Sequence, residues 1–377
     1  MKKIIIPILS TLIIVTCTIV NNSKVINNNV EIKEDKTNNN LLSIMLETED
    51  SSGKYQTSTL STWPADGYKY NSQLSYCENG GTLFWDEESN ALSFNGNKSE
   101  KCYIYFDIYN PTLTEYVINK YTGTQGENNI YYHASTLTNG AADNSYRYAG
   151  SNPNNYVCFG SEESSCPEDN LYRVIGVFGD NNHGLSGQKL VKLIKVNSYI
   201  NSYWNSKSSN DWQSSKLRTT LNENYLSTFS SEYQNMIANV NWKIDGKKSY
   251  SSSLSFIDFY KEEINNNINN DMKKIGLMYV TDFLYAFPSN YWEKVINDYE
   301  ANNIKNENWL YFGNYEWTIS KISDKTNMVF TISNQGYIDE INGYVTDKYE
   351  SRPSFYLNQS VQYIKGSGTI SDPIYVK

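Results

Sequence analysis

Residues 171–178 read LYRVIGVF, and residues 190–195 read LVKLIK. Both runs are short, rich in β-branched and aromatic residues, and bounded by turn-forming residues, which is typical of buried strands. Residues 155–159 (NYVCF) form a third run of this kind just upstream. Because consecutive strands joined by short loops usually pair with each other, the three runs predict an antiparallel meander.

Helical spacing surrounds this meander. Residues 111–114 (PTLT) offer a Thr cap for a helix that starts over residues 115–118. Downstream, apolar residues recur at helical steps in two sets, each predicting one buried helix face: Trp212, Leu217, Leu221 and Tyr225, then Tyr233, Ile237 and Val240. Residues 275–280 (IGLMYV) predict a buried strand, and Thr281 is placed to cap a short helix over 282–287 that Pro288 ends.

Strands and helices are thus mixed over residues 110–377, which predicts an α+β domain. We expect antiparallel strands, two to four short helices and an irregular C-terminal half of short strands and turns. Candidate core residues in that half are Trp309, Trp317, Phe330, Phe355 and Leu357. We expect the Arg352 guanidinium to be buried and bonded to backbone carbonyls or a carboxylate, with anion binding as the alternative.

A smaller all-β module is predicted over residues 45–109. Residues 82–85 (TLFW) and 91–94 (ALSF) read as two strands around a polar turn, and residues 102–106 (CYIYF) read as a further strand. A core of this size stabilises a module only weakly, so a covalent link is expected to support it.

Four cysteines follow the N-terminal apolar segment: Cys77, Cys102, Cys158 and Cys166. More than one pairing is possible, and local spacing favours Cys77–Cys102 in the small module and Cys158–Cys166 in the first hairpin loop of the meander. Disulfides persist in oxidising compartments, so this interpretation predicts an extracytoplasmic protein. The sequence has no CxxC pair, which argues against a zinc site.

Residues 1–22 predict a signal sequence or a membrane anchor. Two lysines precede residues 4–20, which carry no charge and are about as long as the shortest segments that span a bilayer. Because Asn and Ser follow instead of a small-residue cleavage site, a retained anchor is favoured, with lipid attachment at Cys17 as the alternative. Residues 23–44 are rich in Asn and Lys, which predicts a flexible linker.

Composition limits the possible partners. The chain has 32 Lys and Arg against 41 Asp and Glu, a net charge of -9, and no basic stripe, so nucleic acid is not expected as a ligand. It also has 33 Tyr and 8 Trp. Tyr combines a large apolar ring with a polar tip, which suits recognition surfaces, and the codon usage of an AT-rich genome is the alternative explanation.

The usual catalytic patterns are missing from the sequence. The two histidines, His133 and His183, lie in Asn- and Gly-rich stretches away from any HExxH or GxSxG motif. No GxxxxGK[ST] motif is present, and residues 366–368 (GSG) read as a turn. The sequence therefore predicts no enzyme, no cofactor and no metal, while paired carboxylates for glycoside hydrolysis remain an open alternative.

Several motifs carry a resemblance that extends over most of residues 45–377. They are residues 63–64 (WP), 77–81 (CENGG), 146–150 (YRYAG), 171–178 (LYRVIGVF), 212–222, 275–282 (IGLMYVTD), 308–310 (NWL), 316–320 (EWTIS), 351–358 (SRPSFYLN), 366–369 (GSGT) and 372–373 (DP). With them the chain resembles a group of uncharacterised exported proteins of low-GC Gram-positive bacteria. The C-terminal domain of that group resembles the C-type-lectin-like and formylglycine-generating-enzyme-like fold.

This resemblance implies two activities that the residues do not support. Enzymes of the formylglycine-generating type use cysteines in the catalytic domain, whereas no cysteine follows Cys166 here. Calcium-dependent lectins use Glu-Pro-Asn or Gln-Pro-Asp together with Trp-Asn-Asp, and none of these tripeptides occurs. What the resemblance still implies is a scaffold that displays a variable surface.

The candidate binding surface is residues 311–349, where polar and aromatic residues interleave. Tyr rings provide rigid contact area and amides provide adaptable hydrogen bonds. The candidate ligand-binding residues are Ser323, Lys325, Asn327, Asn334, Tyr337, Asn342 and Tyr344. Solvated turn residues are the alternative interpretation of this pattern.

These features predict a non-catalytic binding or adhesion protein at the cell surface. Its expected partner is an extracellular glycan or protein, and its expected contact with the membrane is through residues 4–20. A carboxylate-based cell-envelope hydrolase and a structural subunit of a surface assembly are the alternatives.

Overall fold

The structure is a computed structural model that describes residues 16–20, 23–27, 41–58, 67–86, 91–96, 100–249 and 254–377. The chain divides into two units, Met1–Asn110 and Pro111–Lys377. One disulfide lies in each unit, Cys77–Cys102 in the first and Cys158–Cys166 in the second, which confirms the predicted pairing. Two disulfides fit an extracellular location. Within the described ranges, no helix is long and apolar enough to cross a membrane.

The first unit is built from strands arranged in two sheets. The strands are β1 (Thr16–Val20), β2 (Ser23–Asn27), β3 (Leu41–Glu47), β4 (Tyr55–Thr57), β5 (Tyr68–Cys77), β6 (Thr82–Asp86), β7 (Ala91–Asn95) and β8 (Lys101–Ile108). One sheet has the order β1-β2-β7-β6 and the other β4-β3-β8-β5. The strands predicted over 82–85, 91–94 and 102–106 are confirmed, and β6 pairs antiparallel with β7 as expected.

Alternation along β8 shows how this unit forms its core. Cys102, Ile104 and Phe106 are buried, whereas the residues between them are partly exposed. This period of two places one apolar face against Ile44 and Leu92 from other strands. The disulfide closes a separation of 25 residues beside this small core. A loop of that length stabilises a fold by about 3 kcal/mol, because the unfolded chain loses conformational freedom.

Regular structure in the first unit begins earlier than the sequence predicts. Residues 23–44 are expected to form a flexible linker, yet they include β2 and the start of β3. The reason is pairing: β3 runs parallel to β8 from Leu41 opposite Lys101 to Leu46 opposite Phe106. Of the apolar segment, Thr16–Val20 is a strand paired with β2. Residues 1–15, with most of the predicted anchor, lie outside the described residues, as do residues 28–40.

The second unit is a strand-rich α+β fold. Its strands are β9 (Ile130–Tyr132), β10 (Tyr146–Tyr148), β11 (Tyr156–Cys158), β12 (Leu171–Phe178), β13 (Leu190–Lys195), β14 (Ile200–Tyr203), β15 (Val240–Lys243), β16 (Asn270–Lys273), β17 (Ile275–Gly276), β18 (Glu316–Lys321), β19 (Val329–Ile332), β20 (Ile338–Asp339), β21 (Lys348–Ser351), β22 (Ser354–Tyr356), β23 (Tyr363–Lys365) and β24 (Ile374–Val376). Its α-helices are α1 (Leu113–Ile118), α2 (Asp180–His183), α3 (Lys216–Thr219), α4 (Ser231–Met236), α5 (Phe256–Tyr260), α6 (Val280–Leu284) and α7 (Ala301–Glu307).

Single turns of other helix types link these elements. The 3-10 turns are Glu127–Asn129, Glu168–Asn170, Trp212–Ser214, Leu226–Thr228 and Ser289–Tyr291, and the π turns are Thr220–Tyr225 and Lys261–Asn265. The helices are more numerous than the two to four that the sequence predicts, and each is only four to seven residues long.

The larger sheet of the second unit has the order β17-β22-β13-β12-β11-β24-β23, and β10 joins β12 to β9. Its centre is the predicted meander: β12 pairs antiparallel with both β11 and β13, which confirms that prediction. Every residue of β12 and β13 is buried. A strand buried on both faces has apolar residues almost throughout. For this reason, both segments could be predicted as buried strands from the sequence.

A second sheet has the order β14-β21-β18-β19-β20, and four of its five strands lie after Trp309. The short strands and turns predicted for this half are confirmed, since these four strands are two to six residues long and loops connect them. The predicted core residues of this half are all buried: Trp309, Trp317, Phe330, Phe355 and Leu357. A separate two-stranded antiparallel sheet pairs β15 with β16.

The helix predictions are right about burial and partly wrong about extent. Trp212, Leu217, Leu221 and Tyr225 are buried, but the segment that carries them is a chain of 3-10, α and π turns. The second predicted face is wrong at its end, because α4 stops at Met236 and Val240 opens β15.

The segment 275–282 also differs from its prediction. Only Ile275–Gly276 pairs as a strand, and α6 already starts at Val280. The N-cap residue is Tyr279, not Thr281, and its N–H donates to the Asp282 carboxylate at 2.8 Å. The buried Glu263 carboxylate accepts the N–H groups of Val280 and Thr281. Tertiary contacts therefore satisfy the N-terminus of this helix and set where it begins.

Candidate functional site

A pocket of about 440 Å³ lies beside the β19–β20 hairpin of the second unit. This volume is in the usual range for sites that hold small molecules. Its lining comes from the hairpin turn, the loop after β20 and two residues from elsewhere: Asn297, Tyr315, Ser333, Asn334, Gln335, Tyr337, Ile338, Asp339, Glu340, Ile341 and Asn342.

The turn that forms one wall is held by Ser333. Its N–H donates to the Tyr337 carbonyl at 2.9 Å, and its hydroxyl oxygen accepts the Tyr337 N–H at 3.1 Å. Gly336 has φ of 81°. A Cβ atom there would lie 2.4 Å from Cγ2 of Ile304, so both the backbone angle and the space favour glycine. The turn therefore has a defined shape that presents Asn334 to solvent.

The loop after β20 is organised by Asp339. One carboxylate oxygen accepts the N–H groups of Ile341 at 2.8 Å and Asn342 at 3.0 Å. The other accepts the Asn342 side-chain amide at 2.8 Å and the Tyr315 hydroxyl at 3.5 Å. An aspartate that bonds to backbone two and three residues onward stabilises a tight turn. Asp339 thus orients Asn342 at the edge of the pocket.

Asn297 fastens the opposite wall from a distant part of the chain. Its amide nitrogen donates to the Ile338 carbonyl at 2.9 Å, and its amide oxygen accepts the Ile338 N–H at 2.9 Å. The Tyr299 hydroxyl donates to the same amide oxygen at 3.1 Å. The Asn297 side chain thus bonds to both backbone groups of Ile338, as a neighbouring strand would. These two bonds fix the backbone next to Tyr337.

Two pairs of tyrosine rings border the pocket. Tyr337 stacks on Tyr299 with centroids 5.6 Å apart and planes 14° from parallel. Tyr315 stacks on Tyr349 with centroids 4.9 Å apart and planes 23° from parallel. The Tyr349 ring also packs against Trp317, with centroids 4.7 Å apart. Rings held by a second ring have little rotational freedom left, so their outer faces form rigid surfaces.

The hydroxyl groups on this side of the pocket stay protonated at neutral pH. Burial, together with Asp347, raises the pKa of Tyr349 to about 12. Burial, together with Asp339, also raises the pKa of Tyr315. Both hydroxyls are therefore neutral, and the Tyr349 hydroxyl donates to the Asn342 carbonyl at 2.7 Å.

Such a pocket can hold a small polar ligand. Ring faces pack against C–H groups, and amides both donate and accept hydrogen bonds. Among the described residues that line it, two are carboxylates, Asp339 and Glu340, and none is cationic. The pocket therefore offers no charge partner to a phosphate, sulfate or carboxylate group of a ligand.

The structure brings together three of the seven predicted site residues. Asn334, Tyr337 and Asn342 line the pocket. The other four are not among its lining residues and lie in a different loop or next to it: Ser323, Lys325, Asn327 and Tyr344. Tyr344 is 47% exposed and forms an isolated bridge with Met328.

That other loop, residues 322–328, has its own structural explanation. The amide nitrogen of buried Asn210 lies within 3.1 Å of the carbonyls of Ile322, Lys325 and Met328. The Ser323 N–H donates to the Lys247 carbonyl at 2.8 Å. These bonds hold the loop backbone from inside, while the side chains of Ser323 and Lys325 are exposed.

Several pocket residues are absent from the sequence-based set. Tyr315 and Asp339 lie within the predicted segment 311–349 but were not singled out, because their roles depend on stacking and a tight turn. Asn297 lies outside that segment. It is one of many Asn residues in the chain, and nothing in its local sequence distinguishes it.

The histidines take structural positions. Both rings are buried. The Nδ1 atom of His133 accepts the Ala141 N–H at 3.0 Å, and Nδ1 of His183 accepts the Leu185 N–H at 3.2 Å. Burial lowers the pKa of each ring, to about 3 for His133. The two imidazoles are therefore neutral and away from the pocket.

Arg352 takes the buried position that the sequence predicts. Its guanidinium donates two hydrogen bonds to the Glu316 carboxylate, at 2.7 and 2.9 Å, and one to the Leu310 carbonyl at 2.7 Å. The two side chains are 5% and 1% exposed. This ion pair connects Glu316, the first residue of β18, to the residue that follows β21. Its role is to hold the sheet that carries the pocket.

In the described part of the chain, no group of three or more His, Cys, Asp or Glu side chains is arranged to hold a metal ion.

No protein-family model matches the chain, and neither a curated protein nor a solved structure does. The geometry of the pocket is therefore the evidence from which a function can be inferred.

Proposed function

We propose that the chain is a non-catalytic extracytoplasmic binding protein whose pocket recognises a neutral glycan. The observation that carries the proposal is the pairing of rigid ring faces, Tyr315 and Tyr337, with the amides of Asn334, Gln335 and Asn342 in one pocket. The apolar C–H face of a sugar packs on aromatic rings, and its hydroxyl groups need partners that both donate and accept. A protein loop that presents the same groups is the other partner class compatible with this pocket.

The shape of the pocket supports binding without large rearrangement. Ser333, Asp339 and Asn297 each fix a different part of its backbone through side-chain hydrogen bonds. Rings that are already stacked lose little conformational entropy when a ligand covers them. Asp339 and Glu340 favour a neutral ligand over an anionic one, since an anion would meet two carboxylates there.

A non-catalytic role is supported by where the carboxyl groups with a raised pKa lie. Burial raises the pKa of Glu263 and of Glu316, the property expected of a general acid in glycoside hydrolysis. Both residues, however, are only 1% exposed and bonded to other core groups. A glycan in the pocket cannot reach either acid.

The proposal also includes export of the chain and a lectin-like fold for the second unit. The charged residues Lys2 and Lys3 before an uncharged run over 4–20, together with two disulfides, support export through the N-terminal segment as a signal or anchor. A mixed α+β unit with most of its pocket within residues 311–349 supports a C-type-lectin-like display scaffold without a calcium site.

The test is a glycan array probed with the purified full chain, with and without EDTA, followed by titration of the best ligand. Tyr337→Ala and Asn334→Ala should each weaken binding by about fivefold or more, because each removes a contact worth on the order of 1 kcal/mol. EDTA should leave binding unchanged.

Tyr344→Ala is the matched control, because Tyr344 is an exposed tyrosine of the predicted surface that does not line the pocket. It should bind like the unaltered chain. Loss of binding in Tyr344→Ala with retention in Tyr337→Ala would refute this location. Binding to a host protein and to no glycan would instead favour the protein-ligand alternative.

A further inference from the structure

A lysine and a carboxylate meet deep inside the second unit. The ammonium nitrogen Nζ of Lys192 lies 2.6 Å from Oδ2 of Asp282, and the two side chains are 0% and 1% exposed. Lys192 lies in β13, which is buried along its whole length, and Asp282 lies in the first turn of α6. The contact therefore joins two core elements that are 90 residues apart in sequence.

Aromatic rings surround the lysine nitrogen. It lies 4.1 Å from the ring centroid of Tyr279, 5.1 Å from that of Trp242 and 5.3 Å from that of Tyr356. All three rings are fully buried. Burial of this kind disfavours the charged amine, and it lowers the pKa of Lys192 although Asp282 opposes the change. The amine is thus closer to its neutral, nucleophilic form than a surface lysine is.

A second carboxyl group lies close to this pair. Glu263 is 1% exposed, and its charge acts on both Lys192 and Asp282. Burial raises the pKa of Glu263, although hydrogen bonds from Ser320 and Thr281 oppose that change. The cluster therefore contains an amine, a carboxyl carbon that the amine can attack, and a second buried carboxyl group.

We propose that Lys192 and Asp282 condense into an intramolecular amide bond, a covalent cross-link between β13 and α6. In the step, the ammonium proton of Lys192 passes to a carboxylate of the cluster, and neutral Nζ attacks Cγ of Asp282. The Nζ–Cγ bond forms, a Cγ–O bond breaks, and that oxygen leaves as water with two of the three protons of the ammonium group. No oxidant, reductant or other co-reactant is needed.

Two features of the site assist this reaction. The Tyr279 N–H donates to Oδ2 of Asp282 at 2.8 Å, where it stabilises negative charge on that oxygen in the tetrahedral intermediate. The amine and carboxyl group are also held in contact by the fold, which replaces an unfavourable bimolecular encounter. The product is neutral, so the core no longer holds two charges, each of which costs several kcal/mol to bury.

Other lysine–carboxylate contacts in the same unit serve as internal controls. Lys247 lies 2.8 Å from Glu262, but that carboxylate is 45% exposed. Lys195 lies 3.7 Å from Asp169, whose side chain is 96% exposed. Solvent reaches these carboxylates and screens the contacts, so they are expected to remain ordinary ion pairs.

The test is mass spectrometry of the purified full chain, followed by tryptic mapping after reduction and alkylation. Trypsin does not cleave at an acylated lysine, so the cross-linked protein should yield one branched peptide that joins residues 190–195 to residues 275–294. Its mass should be that of the two linear peptides minus one water molecule. Trypsin should still cleave after Lys195 and after Lys247, because neither amine is expected to be acylated.

Recovery of residues 190–192 and 275–294 as separate, unmodified peptides would overturn the proposal and leave Lys192–Asp282 as an ion pair. Because this measurement uses the unaltered protein, it does not depend on a variant that folds. Lys192→Arg, which keeps the charge but replaces the amine, should lose the branched peptide. Persistence of that peptide in Lys192→Arg would also contradict the assignment.

Discussion

His133 allows a quantitative test of how the core of the second unit is built. Its ring is fully buried, and its centroid lies 4.9 Å from the ring centroids of both Tyr285 and Trp292. Protonation would place a positive charge in this apolar site next to Arg147. Burial therefore lowers the pKa of His133 from about 6.5 to about 3, with Arg147 adding to the shift and Asp143 opposing it.

The sign of the effect follows from proton binding. Between pH 6.5 and about 3, the imidazole of the unfolded chain is protonated while that of the folded chain is not, so the unfolded state binds more protons. The free energy of unfolding therefore falls as the pH drops through this window. For these two pKa values the contribution of His133 falls by about 2 kcal/mol between pH 7 and pH 5.

The assay is urea unfolding of the full chain at pH 7 and pH 5, followed by tryptophan fluorescence. The comparison protein is His133→Asn, because an asparagine side-chain oxygen can accept the Ala141 N–H that Nδ1 of His133 accepts. The asparagine side chain does not titrate, so the variant should lose about 2 kcal/mol less than the unaltered chain on acidification. Titration of other groups contributes equally to both proteins and cancels in the difference.

An identical pH dependence in the two proteins would refute the reasoning. It would mean that His133 titrates at an ordinary pKa in the folded chain, with its ring accessible to protons. Histidine chemistry would then have to be considered again for this protein.

Two further predictions concern single positions. In urea unfolding, Gly336→Ala should destabilise the second unit by about 1–3 kcal/mol more than Gly313→Ala. Both glycines have a positive φ, but only at Gly336 would the added Cβ atom clash, with Ile304. Equal losses of stability would contradict this prediction. Cys77→Ser should lower amide-exchange protection along β8 by about 3 kcal/mol, as expected when the closure of a 25-residue separation is lost; unchanged protection would show that the disulfide is dispensable.

Prediction from sequence worked best where a local pattern matches a buried strand. Residues 171–178 and 190–195 are apolar almost throughout, and both became central strands of the larger sheet. The disulfide pairing was also predictable, because Cys158 and Cys166 are near each other in sequence. Helix boundaries were less predictable. Val280 begins a helix because the distant Glu263 side chain accepts its N–H, which periodicity cannot reveal.

The site was predictable as a segment and not as a set of side chains. Residues 311–349 contain most of the pocket, but only the hairpin turn decides that Asn334, Tyr337 and Asn342 come together. Asn327 and Tyr344 are of the same residue types and lie elsewhere. Asn297 reaches the pocket through hydrogen bonds to Ile338, which is 41 residues away.

By itself, the sequence determined the properties that depend on local chemistry: a mixed α+β unit after a small β module, two short-range disulfides, and a chain without a basic stripe or a catalytic motif. Only the tertiary structure decided which polar side chains meet. The buried contacts Lys192–Asp282 and Arg352–Glu316 join residues that are 90 and 36 positions apart. Charges and hydrogen bonds act over a few ångströms in space, so their partners are set by the packing of strands and helices and not by spacing along the chain.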